Sequence, residues 1–212
     1  PLESRLPRLE TILFHKRLGS YRAKAERLEK LAGWIAGEVF AVPPAVAPAR
    51  QAGRLAKVDL ATDMVRELTE LQGTMGGVYA REEGLSGDVW RAIYYQYLPI
   101  GVEADAPPAR ADLRSAAVTW AAVSVADKLD TVVALIAAGE RPTGTRDPYG
   151  LRRQSQGLLR TLIDLPELTG LELPTPVDRL VEEARAGLGT IDQRDDDPHA
   201  WRGRLVAGPG RG

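Results

Sequence analysis

Two aspartates could take part in chemistry because each lies in a helix that is otherwise apolar. Asp59 lies in the segment KVDLAT at 57–62, and Asp127 lies in ADKLDT at 126–131, within the most apolar stretch of the chain. A buried carboxylate is unfavourable unless it is paired or hydrogen-bonded. Each aspartate therefore either pairs with a nearby Arg, Lys or Thr and fixes the register of two helices, or belongs to a metal or phosphate site where helices cross.

A group of arginines could contact phosphates. The candidates are Arg146, Arg152, Arg153 and Arg160. Asp147 followed by Pro148 predicts the start of a helix, because Asp accepts hydrogen bonds from the first free amides and proline suits the first turn. Arg153 and Arg160 fall on the side of this helix opposite to its leucines. The arginines form either a solvated polar face or one that contacts the phosphates of a nucleic acid.

Several classes of catalytic site are excluded by composition and motifs. The chain has no Cys, which excludes disulfides, thiol nucleophiles and zinc–thiolate sites. It has two histidines, His15 and His199, and we expect both to be exposed or incidental. The sequence contains no HExxH, P-loop or GxSxG motif. A metal site would therefore need carboxylates, with at most these two imidazoles.

Composition and charge are those of an ordinary globular protein. The chain has 212 residues, of which 44% are hydrophobic and 27% charged, with a formal net charge of -1. This length corresponds to about one large domain with a real core. Because the chain is not basic overall, any contact with nucleic acid must come from a local basic surface. No run of about 18 uncharged apolar residues exists, so we expect no transmembrane helix and no membrane partner.

The spacing of leucines, together with the positions of Pro and Gly, predicts a single all-α domain. The predicted helices span 9–40, 50–71, 88–98, 112–138, 147–165 and 175–188. The helix at about 112–138 is apolar nearly all round, so we expect the others to wrap around it. Glycines at 73–77 predict a tight corner between helices, with Met75 filling the core. We expect residues 1–190 to form the domain and 191–212 a loose tail.

Three dense motifs resemble the β subunits of bacterial-type glycyl-tRNA synthetase. They are ELQGTMGGVYA at 70–80, ADKLDT at 126–131 and PTGTRDPYGLRR at 142–153. The segment LGS at 18–20 with Lys24, Arg27 and Leu31 fits the same family, and KVDLAT at 57–62 follows in the same order. The resemblance runs from about residue 2 to about residue 188. It implies that the chain is an internal piece of a longer subunit.

The resemblance implies a function in the ATP-dependent joining of glycine to its tRNA in the cytoplasm. In this family a catalytic α subunit holds ATP, Mg and glycine, so this chain is expected to hold no cofactor itself. Its expected partners are tRNA-Gly, the α subunit and the remaining β-subunit domains. The expected role is a non-catalytic domain that recognises and positions tRNA, with the four arginines as candidate contacts. A purely structural spacer is an alternative.

The resemblance also implies an HD-like helical fold, related to metal-dependent phosphohydrolases. Asp59 and Asp127 stand where two of the metal-binding carboxylates of active HD enzymes would be. Val58 stands where those enzymes have the His of their His-Asp pair. The two aspartates are therefore expected to be remnants of a metal site, with no metal bound. A residual HD-type phosphohydrolase is the second alternative.

Overall fold

The computed structural model describes residues 1–100, 106–172 and 175–189. Within these ranges the helices of four or more residues with α geometry are α1 Leu2–Arg5, α2 Tyr21–Trp34, α3 Pro43–Leu55, α4 Asp63–Glu67, α5 Thr74–Glu82, α6 Gly87–Tyr95, α7 Arg110–Leu113, α8 Ala117–Ala137, α9 Leu151–Ile163, α10 Leu165–Thr169 and α11 Val177–Ala186. Short 3-10 helices cover Leu6–Thr11, Val58–Ala61, Thr69–Leu71 and Arg114–Ala116, and a π-helical turn covers Ile35–Val39. The predicted tail at 191–212, which includes His199, lies outside the described residues.

The centre of the fold is α8. It is buried at 18 of its 21 positions, and α2, α3, α6, α9 and α11 all pack against it. An element that is apolar on every side is stable only where other elements cover every side. The prediction of an all-α fold around a central apolar helix is therefore confirmed, with the helix itself beginning at Ala117 rather than near residue 112.

The first predicted helix, at 9–40, is wrong in its first half. A 3-10 helix is followed by a small antiparallel hairpin of β1 (Leu13–His15) and β2 (Gly19–Ser20). Gly19 has a φ of 84°, a backbone conformation that glycine adopts without steric strain. Helix α2 then begins after Ser20, whose hydroxyl accepts a hydrogen bond from the Ala23 amide.

The second predicted helix, at 50–71, is broken into shorter pieces. Helix α3 begins at Pro43, seven residues before the predicted start, because proline is well suited to the first turn of a helix. The chain then passes through the 3-10 turn Val58–Ala61 into the short helix α4. The expected glycine corner at 73–77 instead contains the start of α5, with Met75 half-buried.

Close packing between helices depends on glycine at two crossings. A Cβ built on Gly53 of α3 would lie 2.7 Å from the Leu28 carbonyl oxygen of α2, and one on Gly77 of α5 would lie 2.7 Å from the Tyr94 Cα of α6. Both neighbours are backbone atoms, so the helices would have to move apart to admit a side chain.

None of the helices in the described ranges combines the length and the hydropathy that crossing a bilayer requires.

Candidate functional site

Asp127 lies in the middle of α8 and is paired with two lysines. The Nζ atom of Lys57 lies 2.6 Å from its Oδ2, and the Nζ atom of Lys24 lies 3.0 Å from its Oδ1, an ion pair without hydrogen-bond alignment. All three side chains are almost completely buried. Burial alone would raise the pKa of Asp127, but the ammonium groups of Lys57 and Lys24 outweigh it and hold that pKa below its usual range.

A second buried ion pair lies one turn further along α8. Asp130 accepts hydrogen bonds from Lys24 Nζ at 2.9 Å and from Arg27 Nε at 2.6 Å. Burial raises the pKa of Asp130, while the charges of Lys24 and Arg27 lower it further than burial raises it. Thr131 completes the group, because its hydroxyl accepts a hydrogen bond from Lys24 and donates one to the Asp127 carbonyl. Lys24 therefore joins α2 to two carboxylates of the central helix.

Asp59 has different partners from Asp127. Its Oδ2 accepts hydrogen bonds from the backbone amides of Gly73 at 2.6 Å and Gly76 at 3.1 Å, at the N-terminus of α5. Its Oδ1 has no hydrogen-bond partner among the described residues. Burial raises the pKa of Asp59, and the amide of Gly73 and the charge of Lys57 offset part of that rise. The carboxylate thus caps a helix whose free amides favour negative charge.

These two aspartates do not form a donor set that fits a metal ion. Both oxygens of Asp127 face ammonium groups, and the bonded oxygen of Asp59 faces backbone amides. A divalent cation would compete with lysine for the same oxygens and would be repelled by the lysine charge. Val58, which was expected to stand at the position of the HD histidine, is completely buried in the apolar core. Among the described residues no group of three or more His, Cys, Asp or Glu could hold a metal.

Lys57 and Lys128 attach the C-terminal end of α6 to this network. Lys57 Nζ donates to Gln96 Oε1 at 2.8 Å and lies 4.0 Å from the centre of the Tyr97 ring. Lys128 Nζ donates to the carbonyls of Gln96 and Leu98, each at 3.1 Å, and to Ser124 Oγ at 2.8 Å. Burial lowers the pKa of Lys128 to about 7. The backbone carbonyls at and just beyond the C-terminus of α6 therefore accept hydrogen bonds from the Lys128 side chain of the central helix.

The candidate arginines divide into two groups. Arg146, Arg152 and Arg153 are exposed, whereas Arg160 is half-buried and its guanidinium pairs with Asp164 one turn along the chain. The first group surrounds the turn before α9. Arg146 exchanges backbone hydrogen bonds with Thr143 across this turn, and Arg152 Nη2 donates to the Gly144 carbonyl of the same turn at 2.7 Å. Arg160 lies two turns further along α9 and does not join this cluster.

Asp147 holds the turn against α9, although the helix begins later than predicted. Its Oδ1 accepts a hydrogen bond from the Leu151 amide at 2.7 Å, and its Oδ2 accepts one from the Arg152 amide at 2.9 Å. Gly150 lies between Asp147 and Leu151, and its φ of 65° allows the chain to turn into the helix. The capping function predicted from the Asp-Pro pair is therefore present, with the helix displaced to Leu151.

The sequence analysis did not predict the burial of His15 or its contacts. It is 3% exposed, lies in β1 rather than on a helix, and its Nε2 is 3.0 Å from Glu140 Oε1. Its Nδ1 accepts a hydrogen bond from the Arg17 amide, and its ring meets the Tyr149 ring edge-to-face, with centres 5.5 Å apart. The expectation that His15 is exposed is wrong. The hairpin is too short to give the strand alternation that would have revealed the burial.

The comparison with known proteins identifies the family. Residues 1–198 match the family model described as glycyl-tRNA synthetase beta subunit. The glycine–tRNA ligase β subunit of Aromatoleum aromaticum is 44% identical over 186 residues, covering 88% of this chain and 24% of that protein. The β subunit of Cronobacter sakazakii is 42% identical over 183 residues, covering 86% and 24%. That of Klebsiella pneumoniae is 43% identical over 206 residues, covering 97% and 28%.

These matches are to subunits of an aminoacyl-tRNA synthetase. The chain belongs to the glycyl-tRNA synthetase β-subunit family. It spans about a quarter of the length of the curated relatives that it matches.

Proposed function

We propose that this chain is a non-catalytic domain of a glycyl-tRNA synthetase β subunit and that it recognises and positions tRNA. In this proposal an α subunit carries out the joining of glycine to tRNA with ATP and Mg, in the cytoplasm. The domain acts with that subunit and with the remaining β-subunit domains. It holds no cofactor of its own.

The observation that carries the proposal is the arginine cluster at the start of α9. Arg146, Arg152 and Arg153 are exposed around one turn. Asp147 is the one acidic residue of the segment 142–153, and both of its oxygens are bonded to backbone amides. The cluster therefore presents positive charge with no carboxylate of its own segment free to neutralise it. Guanidinium groups are well suited to phosphate oxygens, which they can bind with two parallel hydrogen bonds.

The non-catalytic part of the proposal is supported by the lysine network. An HD-type phosphohydrolase would need Asp127 to bind a metal ion, and the ammonium groups of Lys24 and Lys57 lie against both of its oxygens. No contact in the described residues favours that alternative. A purely structural spacer would have the same core, so it is distinguished from a tRNA-binding domain only by a measurement on the arginines.

The test is tRNA binding by the full-length β subunit that contains this chain, across a salt series, with tRNA-Gly and a non-cognate tRNA. Replacing Arg152 and Arg153 together by Glu is expected to weaken binding of tRNA-Gly by tenfold or more at low salt and to flatten the dependence of affinity on salt. Arg66→Glu, a charge reversal on the exposed surface of α4, is the control and is expected to change affinity little. Unchanged affinity in the double variant would assign the domain to the spacer alternative.

A further inference from the structure

We propose that Tyr149, together with Lys16 of the hairpin, extends the arginine cluster into a binding site for an unpaired nucleotide of RNA. In this site the base stacks on the tyrosine ring, and the adjoining phosphates contact Lys16 and the arginines. The inference rests on the proposed function, because it names the part of the RNA that this surface takes.

The Tyr149 ring is held from one side and open to solvent. It is 39% exposed, and its contact with the His15 ring is edge-to-face, at an interplanar angle of 71°. His15 is itself fixed. Because its Nδ1 accepts the Arg17 amide hydrogen, the proton of the neutral ring is on Nε2, which donates to Glu140 Oε1 at 3.0 Å. The tyrosine is thus an exposed aromatic ring with a rigid support.

Exposed cations flank, in sequence, both residues of the contact between His15 and Tyr149. Lys16 is exposed and directly follows His15 in the hairpin, whereas Arg146, Arg152 and Arg153 belong to the turn before α9 and to α9 itself. The contact between His15 and Tyr149 brings the two elements together. The hairpin therefore adds a cation to a surface that the arginines alone were expected to form.

The acidic residues beside the ring are already engaged. The segment 139–153 contains two, Glu140 and Asp147. Glu140 is bonded to His15, and Asp147 is bonded to the amides that begin α9. Lys16 and the three arginines outnumber these two carboxylates, so the segments around Tyr149 carry a net positive charge beside one exposed aromatic ring.

This combination favours an unpaired nucleotide over a paired stem. Bases that are splayed out of a helix stack on aromatic side chains while their phosphates contact cations, and every base has a face that can stack. A paired stem offers its phosphates to the same cations but keeps its bases stacked on one another, so it would leave the ring without a partner.

The experiment compares binding of tRNA-Gly to the full-length β subunit and to its variants across a salt series. Tyr149→Ala is expected to weaken binding about fivefold or more, because a base loses its stacking partner. The dependence of affinity on salt is expected to stay unchanged, because no phosphate contact is lost. Tyr149→Phe keeps the ring and is expected to bind like the unmodified protein.

Lys16→Gln is expected to give the complementary pattern. It removes a phosphate contact, so affinity falls and the slope of log affinity against log salt decreases by about 0.7, the value for one contact with a single strand. Arg66→Gln removes a cation outside this surface and is the control. Tyr149→Leu is the control for a local rearrangement of the structure. It retains an apolar side chain against His15 but removes the aromatic face.

The outcomes separate this inference from the proposed function. If Tyr149→Ala and Tyr149→Leu both bind tRNA-Gly as tightly as Tyr149→Phe, the stacking site is refuted. In that case a loss of binding in the variant with Glu at 152 and 153 would leave the proposed function standing. If the variants at 149, 16, 152 and 153 all bind normally, both the inference and the proposed function fail.

Discussion

The ammonium nitrogen of Lys57 lies 2.6 Å from Oδ2 of Asp127, although the two residues are 70 positions apart and both are almost completely buried. Lysine and aspartate are each unfavourable in an apolar interior, and here each is acceptable because of the other. With Lys24 on the second oxygen, the carboxylate is neutralised by side chains of two other segments. The stability of the core therefore depends on keeping these partners together.

We predict that Asp127→Asn is strongly destabilising. Asparagine has nearly the same shape as aspartate but carries no charge. The substitution therefore leaves the Lys24 and Lys57 ammonium groups buried without their carboxylate. Removing one partner of a buried ion pair typically lowers the free energy of unfolding by about 3–5 kcal/mol. Urea unfolding measures this loss. The matched control is Asp63→Asn, because that side chain is 91% exposed, and a change there within about 0.5 kcal/mol is expected. Similar small losses in both variants would contradict the prediction.

We predict that acid weakens this core. In the folded protein the pKa values of Asp127 and Asp130 lie below the ordinary value of 3.8. The unfolded chain therefore binds protons at these groups at a pH where the folded protein does not. Their stabilising contribution is complete well above pH 3.8 and is lost as the pH falls through and below that value.

The free energy of unfolding, measured between pH 6 and pH 3, checks this. Asp130→Asn is expected to be less stable than the unmodified protein at pH 6, with a smaller difference at pH 3. A constant difference across this range would show that the carboxylate of Asp130 does not titrate with folding.

We predict that Gly77→Ala separates α5 from α6. The added Cβ would lie 2.4 Å from the Tyr94 Cβ and 2.9 Å from the Tyr94 amide nitrogen, so backbone must shift to admit it. Overpacking of this kind costs about 1–3 kcal/mol. The thermal unfolding midpoint measures the effect. Gly187→Ala, which meets its nearest neighbour at 3.5 Å and has a φ of −67°, is the control and is expected to leave the midpoint unchanged or higher.

We predict that His15→Leu loosens the hairpin and the turn before α9. Leucine fills much of the buried volume, but it leaves the Arg17 amide without its acceptor and Glu140 without its donor. A fully buried group left without a partner costs about 1–3 kcal/mol, and because these two groups are only partly buried we expect a loss at the low end of that range. Hydrogen exchange is expected to accelerate at residues 13–20 and 139–150 while the amides of α8 keep their protection. Unchanged exchange at the hairpin would mean that packing alone holds it.

The central helix could be predicted from sequence, and the network within it could not. The segment at 112–138 has no polar face, so its burial follows from local pattern. Asp127 was recognised as a buried carboxylate that needs a partner. Its partners Lys24 and Lys57 are supplied by distant parts of the chain, and neither the periodicity nor the spacing of residues identifies which lysine comes close. Pairing of this kind is set by tertiary packing.

The hairpin and the His15 contact were missed for a related reason. Strands of three and two residues carry too few positions to show alternation. Gly19 was the available signal, because a glycine next to a helix cap often marks a turn. The arginine cluster was predicted as a set of four. Arg160 lies apart from the others because it is two turns further along α9, where its guanidinium pairs with Asp164.

The lysine network also has a consequence for the way this domain opens. Lys24 comes from α2, Lys57 follows α3, and Gln96 follows α6, and all three converge on α8. If one of these segments detached from α8, polar or charged groups in the remaining segments would lose the partners that satisfy them. Partial opening is therefore penalised, and we expect the four segments to unfold together as one cooperative unit.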